Sequence, residues 1–158
     1  MQRRLRATGF TLVEVMLVVG LLGIVAASAL PRFSDLRREA RIASLQAFAA
    51  RLEITANRVR AQCVAEGDCP IARTNARVAI DGRMAQMSYG WLDAGDKLGD
   101  AQIDAWIDTN GWQMTLLDGP ATQFSMLSAP FPKSCAVTYF DAASRGGTID
   151  VVLTTGGC

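Results

Sequence analysis

Phe10 to Leu30 reads FTLVEVMLVVGLLGIVAASAL, twenty-one residues of which only Glu14 is charged. As an α-helix this run measures about 31 Å at ~1.5 Å per residue, the thickness of a bilayer's hydrocarbon core. Before it stand Arg3, Arg4 and Arg6 with no acid, which keeps the amino terminus on the cytoplasmic side. Three kinds of segment share this outline. A secretory signal is cut after a small-residue site such as Ala27-Ser28-Ala29, a plain anchor is not cut, and a third kind is cut before the apolar run and keeps it. Glu14 separates them. A carboxylate this early in an apolar run costs ~2.5 kcal/mol or more on insertion, and neither a signal nor a plain anchor gains from it. Intramembrane acids ordinarily face a protein partner; snorkelling to the interface, one turn into the helix, is the alternative.

The residues around the run carry a resemblance. Arg6-Ala7-Thr8-Gly9 followed by Phe10-Thr11-Leu12-Val13-Glu14 resembles the cleavage and methylation motif of type IV prepilins, shared by pilins, minor pilins and type II secretion pseudopilins. The resemblance implies that residues 1–9 are a leader, removed by a prepilin peptidase after Gly9. It implies that the new terminal residue, Phe10, is N-methylated and that Glu14 serves assembly. The physical sense is direct: cleavage frees a cationic amine on Phe10, which neutralises a neighbouring subunit's Glu14 where an unpaired charge is costly.

Downstream, Pro31 lacks an N–H and is expected to kink the helix or end it at Leu30. Yet Leu45, Phe48, Ala49, Leu52, Ala56, Val59 and Cys63 recur at steps of three and four, an amphipathic helical period. The expected element is one long kinked helix from about Phe10 to about Arg60. Residues 10–30 form its apolar transmembrane and assembly half and residues 31–63 its amphipathic half. The resemblance implies the same shape, and that Gly23 to Pro31 is partly extended in an assembled fibre.

Beyond Cys63 the texture changes. Glu66-Gly67-Asp68 is a turn signal and Pro70 stops the helix. Arg77–Ile80 and Met84–Ser88 read as strands joined by an Asp81-Gly82 hairpin. Gly99 to about Ile107 reads as a short helix. Trp112–Leu117, Gln123–Leu127, Ser134–Phe140 and Thr148–Leu153 read as further strands. The fold class expected is α+β: the amphipathic half-helix packed on a small antiparallel head, residues 64–158. Tyr89-Gly90-Trp91-Leu92-Asp93-Ala94, Ser134-Cys135-Ala136-Val137-Thr138-Tyr139 and Gly156-Gly157-Cys158 are similar to the heads of mannose-sensitive haemagglutinin (MSHA) pilins, except that Leu92 stands where a proline is expected.

Charge and composition exclude several functions. The chain has 16 Lys and Arg, 15 Asp and Glu, and no histidine, which removes Ser-His and Cys-His nucleophiles and imidazole metal ligands. Residues 64–158 hold six basic and eleven acidic residues. Arg73, Arg77 and Arg83 therefore sit in an acidic head, and no nucleic-acid partner is expected. Glu53, Glu66, Asp141 and Asp150 show no pairing typical of glycosidases. No phosphate loop or nucleophile elbow occurs. An enzyme and a cofactor are not expected.

Four cysteines admit three pairings. No short Cys-x2–4-Cys spacing suits zinc, and an exported head meets an oxidising compartment, so disulfides Cys63–Cys69 and Cys135–Cys158 are expected. Asp96, Asp100, Asp104 and Asp108 recur every four residues, an acidic stripe if helical. As carboxylates they suit a hard divalent cation, but acids four apart converge poorly on one ion, and a solvated acidic face is the simpler explanation. Trp91, Trp106, Trp112 and Tyr89 suit a glycan platform or, more simply, a core.

Taken with the resemblance, these features point to a structural pilus subunit of the MSHA-like kind that polymerises with itself for adhesion or motility. The alternative is a pseudopilin or minor pilin. The implied partners are the prepilin peptidase, the inner-membrane pilus assembly machinery, minor pilins and, before assembly, the inner membrane. The implied route runs from that membrane to an extracellular fibre.

Overall fold

The computed structural model describes residues 10–67, 69–95 and 102–158; within the helix, the side chains of 29–32 and 34 also lie outside the description. The expected leader, residues 1–9 with Gly9, and the stripe members Asp96 and Asp100 lie outside the described residues. The chain divides into two units between Glu39 and Ala40, each taken by itself below.

One helix, α1, runs Leu12–Glu66. It passes through position 31, so it does not end at Leu30, and it extends six residues past the expected Arg60. A single proline removes one donor from the ladder, and the turns on either side hold the helix together. The helix closes at Gly67, whose φ is +81° and whose N–H donates to the Val64 carbonyl at 3.1 Å, a common helix stop.

Among the described residues seven strands follow: β1 Ala76–Ile80, β2 Arg83–Ser88, β3 Trp91–Leu92, β4 Trp112–Leu116, β5 Ala121–Met126, β6 Ala136–Phe140 and β7 Asp150–Thr154. They form two antiparallel sheets, β1-β2-β3 and β4-β5-β6-β7, in simple meander order. Asp81 and Gly82 have φ of 51° and 73°, the two left-handed positions that a tight hairpin between twisted strands requires. Two features differ from the sequence expectation. Among the described residues the head holds two sheets rather than one, because no ladder pairs β3 with β4. The described part of the expected 99–107 helix is a 3-10 turn, Ile103–Trp106, with Ile107 extended; the Asn110-Gly111 turn follows too soon for an α-helix to propagate.

Within the second unit, the helical face Leu45, Phe48, Ala49, Leu52, Ala56, Val59 and Cys63 is buried, no member more than 5% exposed. Phe48 stacks on Trp112 of β4 and tilts against Phe124 of β5, with ring centroids 4.1 and 5.2 Å apart. Registers Trp112↔Met126, Phe124↔Val137 and Thr122↔Tyr139 place these side chains on one face of the larger sheet. That face is the core that receives the helix. The Arg60 guanidinium lies 4.0 Å from the Trp91 ring centroid, and the Trp91 indole N–H donates to the Gly147 carbonyl at 2.9 Å. Trp91 is thus structural, 7% exposed, while Tyr89, Trp106 and Trp112 are half-buried.

Candidate functional site

In the first unit, α1 exposes its apolar side chains all round. Phe10 is 80% exposed, and the large apolar residues from Leu12 to Val25 are 48–71% exposed. An unburied apolar surface of this extent requires a partner. Among the described residues no helix is long and apolar enough to cross a membrane; the end of the Phe10–Leu30 run, Ala29 and Leu30, has no described side chains.

The start of α1 places Glu14. Thr11 precedes the first helical residue, and its hydroxyl oxygen accepts the Glu14 backbone N–H at 3.3 Å. Thr11-Leu12-Val13-Glu14 thus has the order of a capping box, a threonine at the helix cap with a glutamate at the third helical position. Glu14 lies in the first turn, where the helix dipole favours a carboxylate. One threonine therefore settles where the helix begins and holds Glu14 within a turn of Phe10. The T-x-x-E signal is present in the sequence and is easily missed inside an apolar run.

Two disulfides brace the second unit. Cys63–Cys69 ties the last turn of α1 to the following loop, with Cα atoms 5.0 Å apart. Cys135–Cys158, with Cα atoms 4.9 Å apart, closes a sequence separation of 23. Around the second bridge the backbone is tightly laced. The Gly157 N–H donates to the Ser134 carbonyl at 2.8 Å, and the Phe131 N–H to the Gly157 carbonyl at 3.3 Å. A Cβ added at Gly157 would lie 2.5 Å from the Phe131 carbonyl oxygen, so only glycine fits. Arg41 of α1 donates to the Cys158 carbonyl at 2.7 Å, joining stem and tail.

The described members of the acidic stripe, Asp104 and Asp108, do not share a helical face. Asp104 sits in the 3-10 turn, and Asp108 accepts the Asn110 backbone N–H at 3.0 Å in the next loop. The extended Ile107 between them breaks the helical spacing that would align the two. Among the described residues no group of three or more acids or cysteines is placed to hold a metal ion.

A different acid pair comes together. Asp93, after β3, and Asp141, after β6, are 4% and 6% exposed. They line a cleft of about 500 Å³ with Asn75, Ser88, Tyr89 and Asp118. Asp93 accepts from Ser88 at 3.0 Å, Gln86 at 3.3 Å and the Gly95 N–H at 2.8 Å. Asp141 accepts the Ala94 N–H at 3.2 Å. Burial pushes the Asp141 carboxyl up to about 7; the Ala94 hydrogen bond opposes this, and the neighbouring Asp93 adds to it. Tyr139 donates to the Leu92 carbonyl at 2.8 Å, and burial, then the two carboxylates, raise its hydroxyl well above its ordinary value. Sequence reasoning missed this pair, since 47 residues separate its elements and no spacing rule joins them.

Comparison with known proteins bears on the amino-terminal segment first. A family model described as the prokaryotic N-terminal methylation motif matches residues 4–30. A fimbrial protein of Moraxella nonliquefaciens is 39% identical over 61 residues, covering 37% of this chain and 40% of that one. The type IV narrow pilus major component PilA5 of Thermus thermophilus is 48% identical over 46 residues, 29% of this chain and 40% of that one. The type IV major fimbrial protein FimA of Dichelobacter nodosus is 27% identical over 120 residues, 76% of this chain and 72% of that one. The chain thus spans about two-fifths of the length of the first two relatives it matches. No solved structure matches the chain significantly.

Proposed function

We propose that this chain is a structural subunit of a type IV pilus. In this reading a prepilin peptidase cuts after Gly9, Phe10 is N-methylated, and the helix that follows packs with copies of itself in a surface fibre. The observation that carries it is the pairing of a methylation-motif match at residues 4–30 with a capped helix whose apolar residues are exposed on every side. An apolar surface this large favours either lipid or other subunits. The Phe10–Leu30 segment holds the precursor in the inner membrane, amino terminus inward, by the positive-inside bias of Arg3, Arg4 and Arg6. Assembly exchanges lipid for neighbouring helices, and the assembly machinery and minor pilins are the partners this exchange needs. The names of the relatives support a structural role over an enzymatic one. The short likenesses around Tyr89, Ser134 and Gly156 support placement among MSHA-like major pilins.

The test is the mature protein. Co-expressed with its prepilin peptidase, the chain should yield N-methyl-Phe10 as its first residue and lose nine of its 158 residues, and it should dominate sheared surface fibres. A first residue at Leu30 would establish a signal peptide instead. Correct processing with scarcity in sheared fibres would move the chain to the pseudopilins or minor pilins.

A further inference from the structure

We propose that the outward face of the stem helix is a seam on which a second copy of this chain docks, parallel and in register. Within the second unit, α1 carries two apolar faces. One is the buried set from Leu45 to Cys63. The other is Ala43, Ala47, Ala50, Ile54, Ala61 and Val64, joined by Asn57, and its members follow one another at alternating steps of four and three. They are exposed, Ile54 at 66% and Val64 at 56%. One apolar face suffices to pack a helix on its own head, so the second calls for a partner from outside. Steps of four and three sustained from Ala43 to Val64 are the heptad period of a coiled-coil seam, which winds one helix left-handedly about another. At that period Ala47, Ile54 and Ala61 hold the a positions, and Ala43, Ala50, Asn57 and Val64 the d positions.

The flanking charges choose the occupant and its direction. The e positions hold Ser44, Arg51 and Arg58, and the g positions hold Gln46, Glu53 and Arg60. Glu53 and Arg58 lie on opposite sides of the seam, and their spacing does not let them pair along their own helix. Between parallel, in-register copies, a g residue faces the e residue of the next heptad in its partner. Glu53 then meets the second copy's Arg58, and the two-fold repeats the pair. Gln46 meets the second copy's Arg51 in the same way. Arg60 is drawn to the Trp91 ring of its own head, and the residue that would face it is an alanine. An antiparallel copy would instead set e against e, with Arg51 opposite Arg58, where like charges repel. The face is therefore complementary to itself in the parallel orientation.

Packing sets the register. Alanine at most seam positions lets two helix backbones approach closely, and Ile54 fills the middle. The Asn57 side-chain N–H donates to the Glu53 carbonyl of its own helix at 2.8 Å, which leaves the carboxamide oxygen toward the facing Asn57. A single asparagine in such a seam fixes register, because a slipped copy would bury it against an apolar residue. The biological setting rests on the proposed function: copies held in one membrane by their amino-terminal runs already stand parallel. An in-register, two-fold contact closes on itself, whereas a fibre grows through head-to-tail contacts. The seam thus makes a resting pair of the unassembled subunit and covers its stem until assembly exchanges the partner.

The experiment cross-links copies in membranes of cells that express the full chain with its prepilin peptidase and no other pilus protein. Ala50→Cys adds one free thiol, since the native cysteines are paired. Mild oxidation should give a dimer linked through position 50 of both copies. Co-expression of Ala43→Cys and Ala50→Cys chains should give the two like-with-like dimers and little mixed product, as an in-register seam requires. In the Ala50→Cys background, Arg58→Glu should lower dimer yield about fivefold, and adding Glu53→Arg should restore it. Both residues are exposed, so the head stays folded. Absence of the like-with-like dimer, mixed product in equal amount, or a yield indifferent to the charge reversal overturns the seam. So does linkage of the thiol to a protein of another mass, which gives the face to a different partner. The amino terminus of the same dimer reports on the proposed function separately: a position-50 dimer that begins elsewhere than Phe10 keeps the seam and overturns the cut after Gly9.

Discussion

The Thr11 hydroxyl oxygen accepts the backbone N–H of Glu14 at 3.3 Å. The residue that starts the helix therefore also positions its only early acid. Glu14 stands at the glutamate position of a capping box, and the proposed function gives its charge a second use, pairing with the amine of a processed neighbour.

Substitutions at these two residues tell the uses apart. Glu14→Gln keeps the capping order but removes the charge, since the box accepts either residue. It should leave cleavage after Gly9 intact and sharply reduce sheared fibre. Thr11→Ala should cost the helix start about 1 kcal/mol and reduce fibre only modestly. Immunoblots of sheared and cellular fractions read both. Wild-type fibre from Glu14→Gln cells would remove the charge from the assembly argument.

Gly9→Val should block processing, on the premise that the peptidase accepts no side chain at the residue before the cut. The precursor should then accumulate in the membrane fraction at full length. A mature-sized product from this variant would contradict the proposed cleavage position.

Phe48→Ala should destabilise the head strongly. Phe48 is 1% exposed and contacts the rings of Trp112 and Phe124, so its removal should cost about 3–5 kcal/mol. Denaturant titration measures the loss. Processing at Gly9 should be unchanged, because Phe48 packs against β4 and β5, within the head. An unaltered denaturation midpoint would mean that the helix face does not anchor the head.

Cys135→Ser should lower head stability by about 2–4 kcal/mol through the loss of the 135–158 closure. Gly157→Ala should destabilise the same corner with the disulfide intact, because the added methyl meets the Phe131 carbonyl. Non-reducing peptide mapping with thermal melts distinguishes the two. A Gly157→Ala protein as stable as the parent would show that the corner has room to adjust.

Much of the stem can be read from spacing alone. Leu45 to Cys63 repeats at helical intervals, and the structure buries that set of residues. Helical periodicity is a local property, so sequence neighbours suffice to reveal it. The hairpin at Asp81-Gly82 was legible for the same reason, as its turn chemistry is contained in two residues. The strands of the larger sheet were legible to within about two residues at their ends, where pairing with neighbours, not propensity, sets the limits.

The chain by itself determined the apolar amino-terminal run, the acid within it, the amphipathic stem and the antiparallel character of the head. Each rests on residues within a few positions of one another. Only the tertiary structure decided that the described head divides into two sheets, that the Asp104 and Asp108 spacing leads to a turn and a loop rather than a helical face, and that Asp93 and Asp141 line one cleft. Those outcomes depend on which strand edges pair and which loops then share a joint. Two buried acids 48 positions apart carry no mark of each other in a one-dimensional chain; the registers of β5 and β6 and the turn at Tyr89-Gly90 bring them together.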